Sequence, residues 1–156
     1  MQVDDIIFNF VVAKKRFMGN IRFLNEKVEM PRFSQEIVAQ WIGKVVAAHN
    51  RAVGDLAYIF CDDEKIIQVN RQFLSHDYYT DIITFDYSTR RRVSGDMFIS
   101  LDTVASNAEL FGRDYQEELL RVVIHGVLHL CGINDKGPGE REIMEMNETE
   151  ALELLP

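Results

Sequence analysis

The sequence predicts an α+β fold, one domain over residues 1–156, in which a small mixed β-sheet is covered by about five helices and one helix is buried centrally. Three observations carry this expectation. The chain has 156 residues, 47% hydrophobic and 27% charged, which suits one globular domain with a sizeable core and is too short for two. Short β-leaning runs are interleaved with stretches of helical periodicity, and two of the runs flank a turn as an antiparallel hairpin would. One stretch, Arg121-Val-Val-Ile-His-Gly-Val-Leu-His-Leu-Cys-Gly-Ile-Asn-Asp135, is apolar almost all round a helix, and such a helix belongs in the interior.

Taken in order, residues 6–12 are short, apolar and β-leaning, and are expected to form the first strand. In residues 13–31 the Lys14-Lys15-Arg16 cluster reads as a solvated turn, and residues 21–28 as an edge strand. Ser34 is placed as an N-cap for a helix carrying Ile37, Val38, Trp41, Ile42 and Val45, with Gly54 just beyond its end. Residues 56–61 read as a buried strand. Asp62-Asp63-Glu64 puts acids where a helix N-terminus favours them, and Ile66, Val69, Phe73 and Leu74 continue as an apolar stripe. Residues 81–87 and 95–100 are strands joined by the turn Ser88-Thr-Arg-Arg-Arg-Val-Ser94. Asp102 is expected to cap a helix running towards Gly112. The histidine helix follows, and Pro138 opens a last amphipathic helix ending near Leu155.

The chemistry lies in the histidine helix. At about 100° per residue, His125 and His129 leave it within about 40° of each other. Two buried imidazoles without partners would cost several kcal/mol, so something must satisfy them. Hydrogen bonds to backbone carbonyls are one answer. A metal ion is the other, and it accounts for more: H-x-x-x-H is a zinc-ligand spacing, Gly132 is placed to stop the helix, and Asp135 follows where its carboxylate can swing back. In the peptidase pattern H-E-x-x-H the second residue is a glutamate acting as general base. Here it is Gly126, so a peptidase would lack its base though not its metal.

The net charge of −8 argues against whole-surface binding to nucleic acid or anionic membranes, while leaving room for a local basic patch. Cys61 and Cys131 form no C-x-x-C pair and read as reduced, small core residues of a cytoplasmic protein. Cys131, two positions after His129, faces away from it and is a poor ligand. The N-terminus lacks the basic start of a signal peptide, and no apolar run is long enough to span a membrane.

These segments together resemble the YbeY family of metal-dependent endoribonucleases of ribosomal RNA maturation. The family pattern H-G-x-L-H-L-x-G-x-x-H appears as His125-Gly-Val-Leu-His-Leu-Cys-Gly-Ile-Asn-Asp135. Its block L-N-x-x-(Y/F)-R-x-x-D-x-x-T-D-V-L-S-F resembles Val69-Asn-Arg-Gln-Phe-Leu-Ser-His-Asp-Tyr-Tyr-Thr-Asp-Ile-Ile-Thr-Phe85, and its G-D-I-x-I-S strand resembles Gly95-Asp-Met-Phe-Ile-Ser100. Two departures from the pattern matter. The family's third histidine falls on Asp135, giving the ligand set His125, His129 and Asp135, and the arginine expected after Phe73 is Leu74.

The resemblance implies a single-strand endoribonuclease with one divalent ion, expected to be zinc, with manganese, iron or nickel also compatible with the carboxylate. It implies precursor ribosomal RNA as substrate, a ribosomal subunit or ribosomal proteins as partners, and no membrane. With Gly126 offering no base, either water activated by the metal or the RNA 2′-hydroxyl attacks. Arg71, one turn before Leu74, is the expected substitute for the missing arginine, set against a solvated surface role. Asp81 is a proton acceptor or an orienting group, set against strand-end capping. Arg90, Arg91 and Arg92 would grip phosphates, set against a charged hairpin turn, and His76 would line the cleft. Two rival classes stay open: a non-enzymatic ribosome-assembly factor with a structural metal, and a two-His-one-carboxylate non-haem iron enzyme.

Overall fold

Alternation of side chains along residues 52–61 creates the sheet's centre. In β2 (Ala52–Cys61), Leu56, Tyr58 and Phe60 are fully buried on one face, while Ala57 and Cys61 fill the other. β1 (Asn20–Asn25) and β4 (Arg92–Ser100) flank it, both parallel to it, and β3 (Ile82–Asp86) runs antiparallel to β4. The order is β1-β2-β4-β3, a mixed sheet as expected, with residues 20–25 forming the expected edge strand. The computed structural model describes residues 20–74 and 80–156. The expected strand at residues 6–12, the Lys14-Lys15-Arg16 turn and His76 lie outside them.

Five α-helices cover this sheet among the described residues: α1 (Gln35–Ala48), α2 (Asp63–Val69), α3 (Leu101–Phe111), α4 (Tyr115–Leu130) and α5 (Glu140–Glu153). A π-helical turn, Asn70–Leu74, extends α2. The larger core joins Trp41 and Ile42 of α1, Tyr58 and Met97 of the sheet, and Leu119, Ile124 and Leu128 of α4. A smaller one, Cys61, Ile66, Val69 and Ile83, lies under α2 on the opposite face. α4, the histidine helix, is thus the central one.

Two buried donors fasten it. The Tyr58 hydroxyl donates to the Val123 carbonyl at 2.9 Å, and Trp41 Nε1 donates to the Ala151 carbonyl of α5 at 2.7 Å. Leaving either donor buried and unpaired would cost about 1–3 kcal/mol, so these bonds fix which way α4 and α5 lie.

Several boundaries differ from expectation. Gly54 is not a helix stop but part of β2, where the register with β4 shifts and a Cβ would come within 2.2 Å of Ser94 Oγ. α1 instead ends before Asn50, which takes a left-handed φ of 61°. Ser100, not Asp102, caps α3 by accepting from Thr103 N–H at 3.3 Å. Asp102 accepts from Asp63 N–H, at the start of α2, at 3.0 Å. Asp63 returns a carboxylate oxygen to the Ser100 and Thr103 hydroxyls, each at 2.6 Å, so two helix starts cap each other. Phe73 and Leu74 do not continue the buried stripe but are 59% and 41% exposed. Pro138 lies just before α5, which Gly139 opens.

Candidate metal centre

The C-terminal turn of α4 builds the centre. Gly132 adopts a left-handed φ of 95°, Ile133 N–H donates to the Leu128 carbonyl at 3.1 Å, and Gly132 N–H donates to the His129 carbonyl at 2.9 Å. This pair of bonds satisfies the last carbonyls and turns the chain sharply back, which only glycine does without strain. Arg51 donates to the Leu130 carbonyl at 2.9 Å and also to the Thr89 carbonyl in the β3–β4 turn, holding a cation at the helix's negative end. Asp135 consequently returns to the face that carries the histidines.

The two imidazole rings lie edge to face with centroids 4.5 Å apart. Asp135 Oδ2 is 3.3 Å from His125 Nε2 and 3.3 Å from His129 Nε2. One ligand atom from each of the three residues lies within 4.8 Å of the others, and all three side chains are half-buried. Two imidazole nitrogens and one carboxylate oxygen suit a borderline divalent cation. These residues fit a metal ion.

His125 is also held from behind. Its Nδ1 lies 2.7 Å from Glu148 Oε2, while Glu148 Oε1 accepts from Arg121 Nη1 at 3.1 Å. The carboxylate therefore accepts from Nδ1–H, which in the neutral ring leaves Nε2 as the lone-pair nitrogen facing Asp135. Burial would lower the His125 pKa, but the hydrogen bond and charge of Glu148, with Asp81 and Asp135, hold it above 6.5. For Glu148, burial would raise the pKa, but His125 and Arg121 hold it below 4.5. Burial and the charge of His125 push His129 below the usual imidazole range, against Asp135. The sequence reading did not single out Glu148 or Arg121. The signal was an acid in the buried stripe Met144, Glu148, Ala151 of an otherwise charged helix.

The three residues open into a cleft of about 440 Å³. His125, His129, Asp135 and Lys136 form one wall, and Asn70, Leu74 and the run from Thr80 along β3 form the other. Asp81 lies in this cleft, and burial raises its carboxyl pKa against the opposing charge of His125. Arg71 is not brought here. Asn70 and Leu74, one turn apart, point to the cleft, so Arg71 faces elsewhere and lines a separate depression with Lys27, Glu64 and Gln68. Arg90, Arg91 and Arg92 are exposed on the hairpin turn beyond Asp86, outside the cleft wall. Cys131 is no ligand: burial lifts its thiol to about 11, and it is not part of the cluster.

Gly126 has a packing reason. A Cβ there would meet Ile82 Cδ1 and Met97 Sδ, each at 2.7 Å, so any side chain at 126, the glutamate of the peptidase pattern included, requires those two side chains to shift.

A mixed α+β domain whose central helix brings two imidazole nitrogens to the wall of an open cleft, with a carboxylate oxygen beside them, has a cluster that could hold a metal ion within reach of a substrate. The chain belongs to the YbeY family: a family model described as "Endoribonuclease YbeY" matches residues 20–156. Proteins named "Endoribonuclease YbeY" are 60% identical over 136 residues in Parabacteroides distasonis and 61% identical over 135 residues in Phocaeicola vulgatus, covering 87% and 86% of this chain and 96% and 98% of theirs. A solution structure from Thermotoga maritima is similar at 26% identity with a TM-score of 0.58, covering 86% of this chain and 88% of that one. Among the described residues, no helix is long and apolar enough to cross a membrane.

Proposed function

We propose that this protein is a metal-dependent endoribonuclease that cleaves precursor ribosomal RNA in the cytoplasm, with zinc as its ion. The observation that carries this is the convergence of His125, His129 and Asp135 on the wall of an open cleft, in a chain of the YbeY family. A bound divalent ion supplies Lewis acidity there, lowering the pKa of water and polarising a phosphoryl oxygen.

The chain's own residues do the rest. Glu148, steadied by Arg121, fixes the His125 tautomer so that Nε2 faces the cleft. Asp81, whose carboxyl is held above its ordinary range by burial, takes up the proton lost by the attacking oxygen. Arg90, Arg91 and Arg92 gather phosphates beyond the end of β3. Arg71, facing another depression, has no part in the centre on this reading.

The structural-metal alternative is less well supported, because no fourth histidine, cysteine or carboxylate joins the three-residue cluster among the described residues, and the site is open. The iron-oxygenase alternative is not favoured by the family match. The test is elemental analysis of the native protein beside cleavage of ribosomal RNA before and after chelation. Loss of cleavage on chelation and its return with zinc supports the proposal. Cleavage indifferent to chelation overturns it. Replacing the 2′-hydroxyl at the cut site by hydrogen separates the two attacking groups, since only attack by the 2′-hydroxyl is abolished.

A further inference from the structure

Among the described residues β3 is the last strand of the sheet, and it forms a wall of the cleft that holds His125, His129 and Asp135. Ser100 N–H donates to the Asp81 carbonyl and Tyr87 N–H to the Ser94 carbonyl, both at 2.9 Å, so residues 81, 83, 85 and 87 turn their main-chain groups towards β4. By the alternation of an antiparallel ladder, Ile82, Thr84 and Asp86 turn theirs into the cleft. The Ile82 carbonyl accepts from the Thr80 hydroxyl at 3.5 Å, and its N–H meets the Asp81 carboxylate. The N–H and C=O of Thr84 and Asp86 have no partner among the described residues. Two donor–acceptor pairs are thus offered, side by side, along a cleft that ends at the metal ligands.

Charge decides what they meet. Among the described residues the cleft carries Asp81, Asp86 and Asp135 against one lysine, Lys136, and no arginine, so it is not built to seat a row of phosphates. A nucleobase is neutral and shows one donor beside one acceptor on its Watson–Crick edge, which is the complement of an extended residue's N–H and C=O. Leu74, 41% exposed and in the same cleft, offers an apolar surface to the base. The geometry points to the free edge of β3, centred on Thr84, as a base-reading subsite that holds an unpaired nucleotide of the RNA substrate next to the cut phosphate. This inference rests on the nuclease reading, because the edge borders the cleft in which His125, His129 and Asp135 lie. A base-paired strand has that edge occupied and is excluded.

Thr84→Pro tests it, since proline at an outward-facing position of an edge strand removes one N–H without breaking the β3–β4 ladder. Binding of an unstructured RNA oligonucleotide to the chelated protein, and cut positions with the metal restored, would be measured beside thermal melting. Thr84→Pro should keep its metal, bind about fivefold to tenfold more weakly and spread its cuts, while Thr84→Val, which keeps the N–H, behaves as the parent. An oligonucleotide lacking bases next to the cut should bind the parent about fivefold to tenfold more weakly than the intact strand does, a comparison that needs no variant and so holds even if Thr84→Pro fails to fold. Equal binding of intact and base-free strands by the parent overturns the subsite. So does competition at Thr84 by an extended basic peptide and not by RNA, which would make β3 a protein-docking edge. A parent that cuts no RNA under any metal loading overturns the nuclease reading itself.

Discussion

Glu148 shows what one residue does to another here. Its carboxylate lies 2.7 Å from His125 Nδ1, and the two groups stabilise each other's charged forms in the metal-free protein. The His125 pKa is raised, so its share of stability is fully present below 6.5 and fades as pH rises through the raised value. The Glu148 pKa is depressed, so its share is present above 4.5 and fades as pH falls through the depressed value. The window with both intact lies between those values. Glu148→Gln should therefore lower the melting temperature of the chelated protein more at about pH 5.5 than at about pH 8; an equal drop at both would mean the contact is not ionic. The ligands give a separate expectation. His125→Ala and His129→Ala should each abolish stoichiometric metal, and Asp135→Ala should weaken binding by at least about 10- to 100-fold, read by titration against a competing chelator. Asp135→Ala binding metal like the parent would place the third ligand elsewhere. The histidines and Asp135 were legible because helical spacing and a glycine stop are local features. Glu148 and Arg121 were not, because their pairing is made by the packing of α5 on α4, which no local spacing encodes.

At the scale of elements, α4 is set by how closely it approaches the sheet. Gly126 rests against Met97 and Ile82, and Met97 is fully exposed to nothing but the core, at 0% accessibility. Gly126→Ala gains helix propensity of about 1 kcal/mol but overpacks a filled interior at a cost of about 1–3 kcal/mol. Net destabilisation by up to about 2 kcal/mol is expected from denaturant midpoints, with cleavage reduced because both ligands ride on the displaced helix. Gly126→Glu, which would recreate the peptidase pattern, should not fold, since it forces a carboxylate into the same contact. A folded Gly126→Glu protein would show that α4 can slide away from the sheet. Most elements could be placed from periodicity and capping residues, with Ser34, Asp62 and Gly112 all where a helix end needs them. Asp102 was misassigned because its carboxylate reaches across to α2, and sequence capping rules see only the helix an acid belongs to. Gly54 was misassigned because a glycine serving a bulge and a glycine ending a helix look alike until the neighbouring strand is known.

At the scale of the whole molecule, a net charge of −8 repels RNA, so attraction has to be local. The exposed run Arg90, Arg91 and Arg92 lies on the hairpin that continues the cleft past Asp86, and Arg71 lies over a different depression. Each of these arginines carries one unit of charge, so an effect per charge removed that differs between the two places reports place and not total charge. A phosphate contact on a single strand contributes about 0.7 to the slope of log affinity against log salt, because it releases condensed counterions. Turnover at saturation, by contrast, falls only when a group stabilises the transition state more than the bound substrate. Replacing Arg90, Arg91 and Arg92 together by alanine should weaken RNA binding and flatten that slope by up to about 2, with single-turnover cleavage at saturation preserved. Arg71→Ala should change neither quantity beyond the small, screened effect of one charge outside the cleft. Affinity measured across a salt series, with single-turnover rates beside it, separates the outcomes. A loss of turnover in Arg71→Ala would return to that residue the role of the arginine replaced by Leu74, and would require residues 70–74 to rearrange when RNA binds.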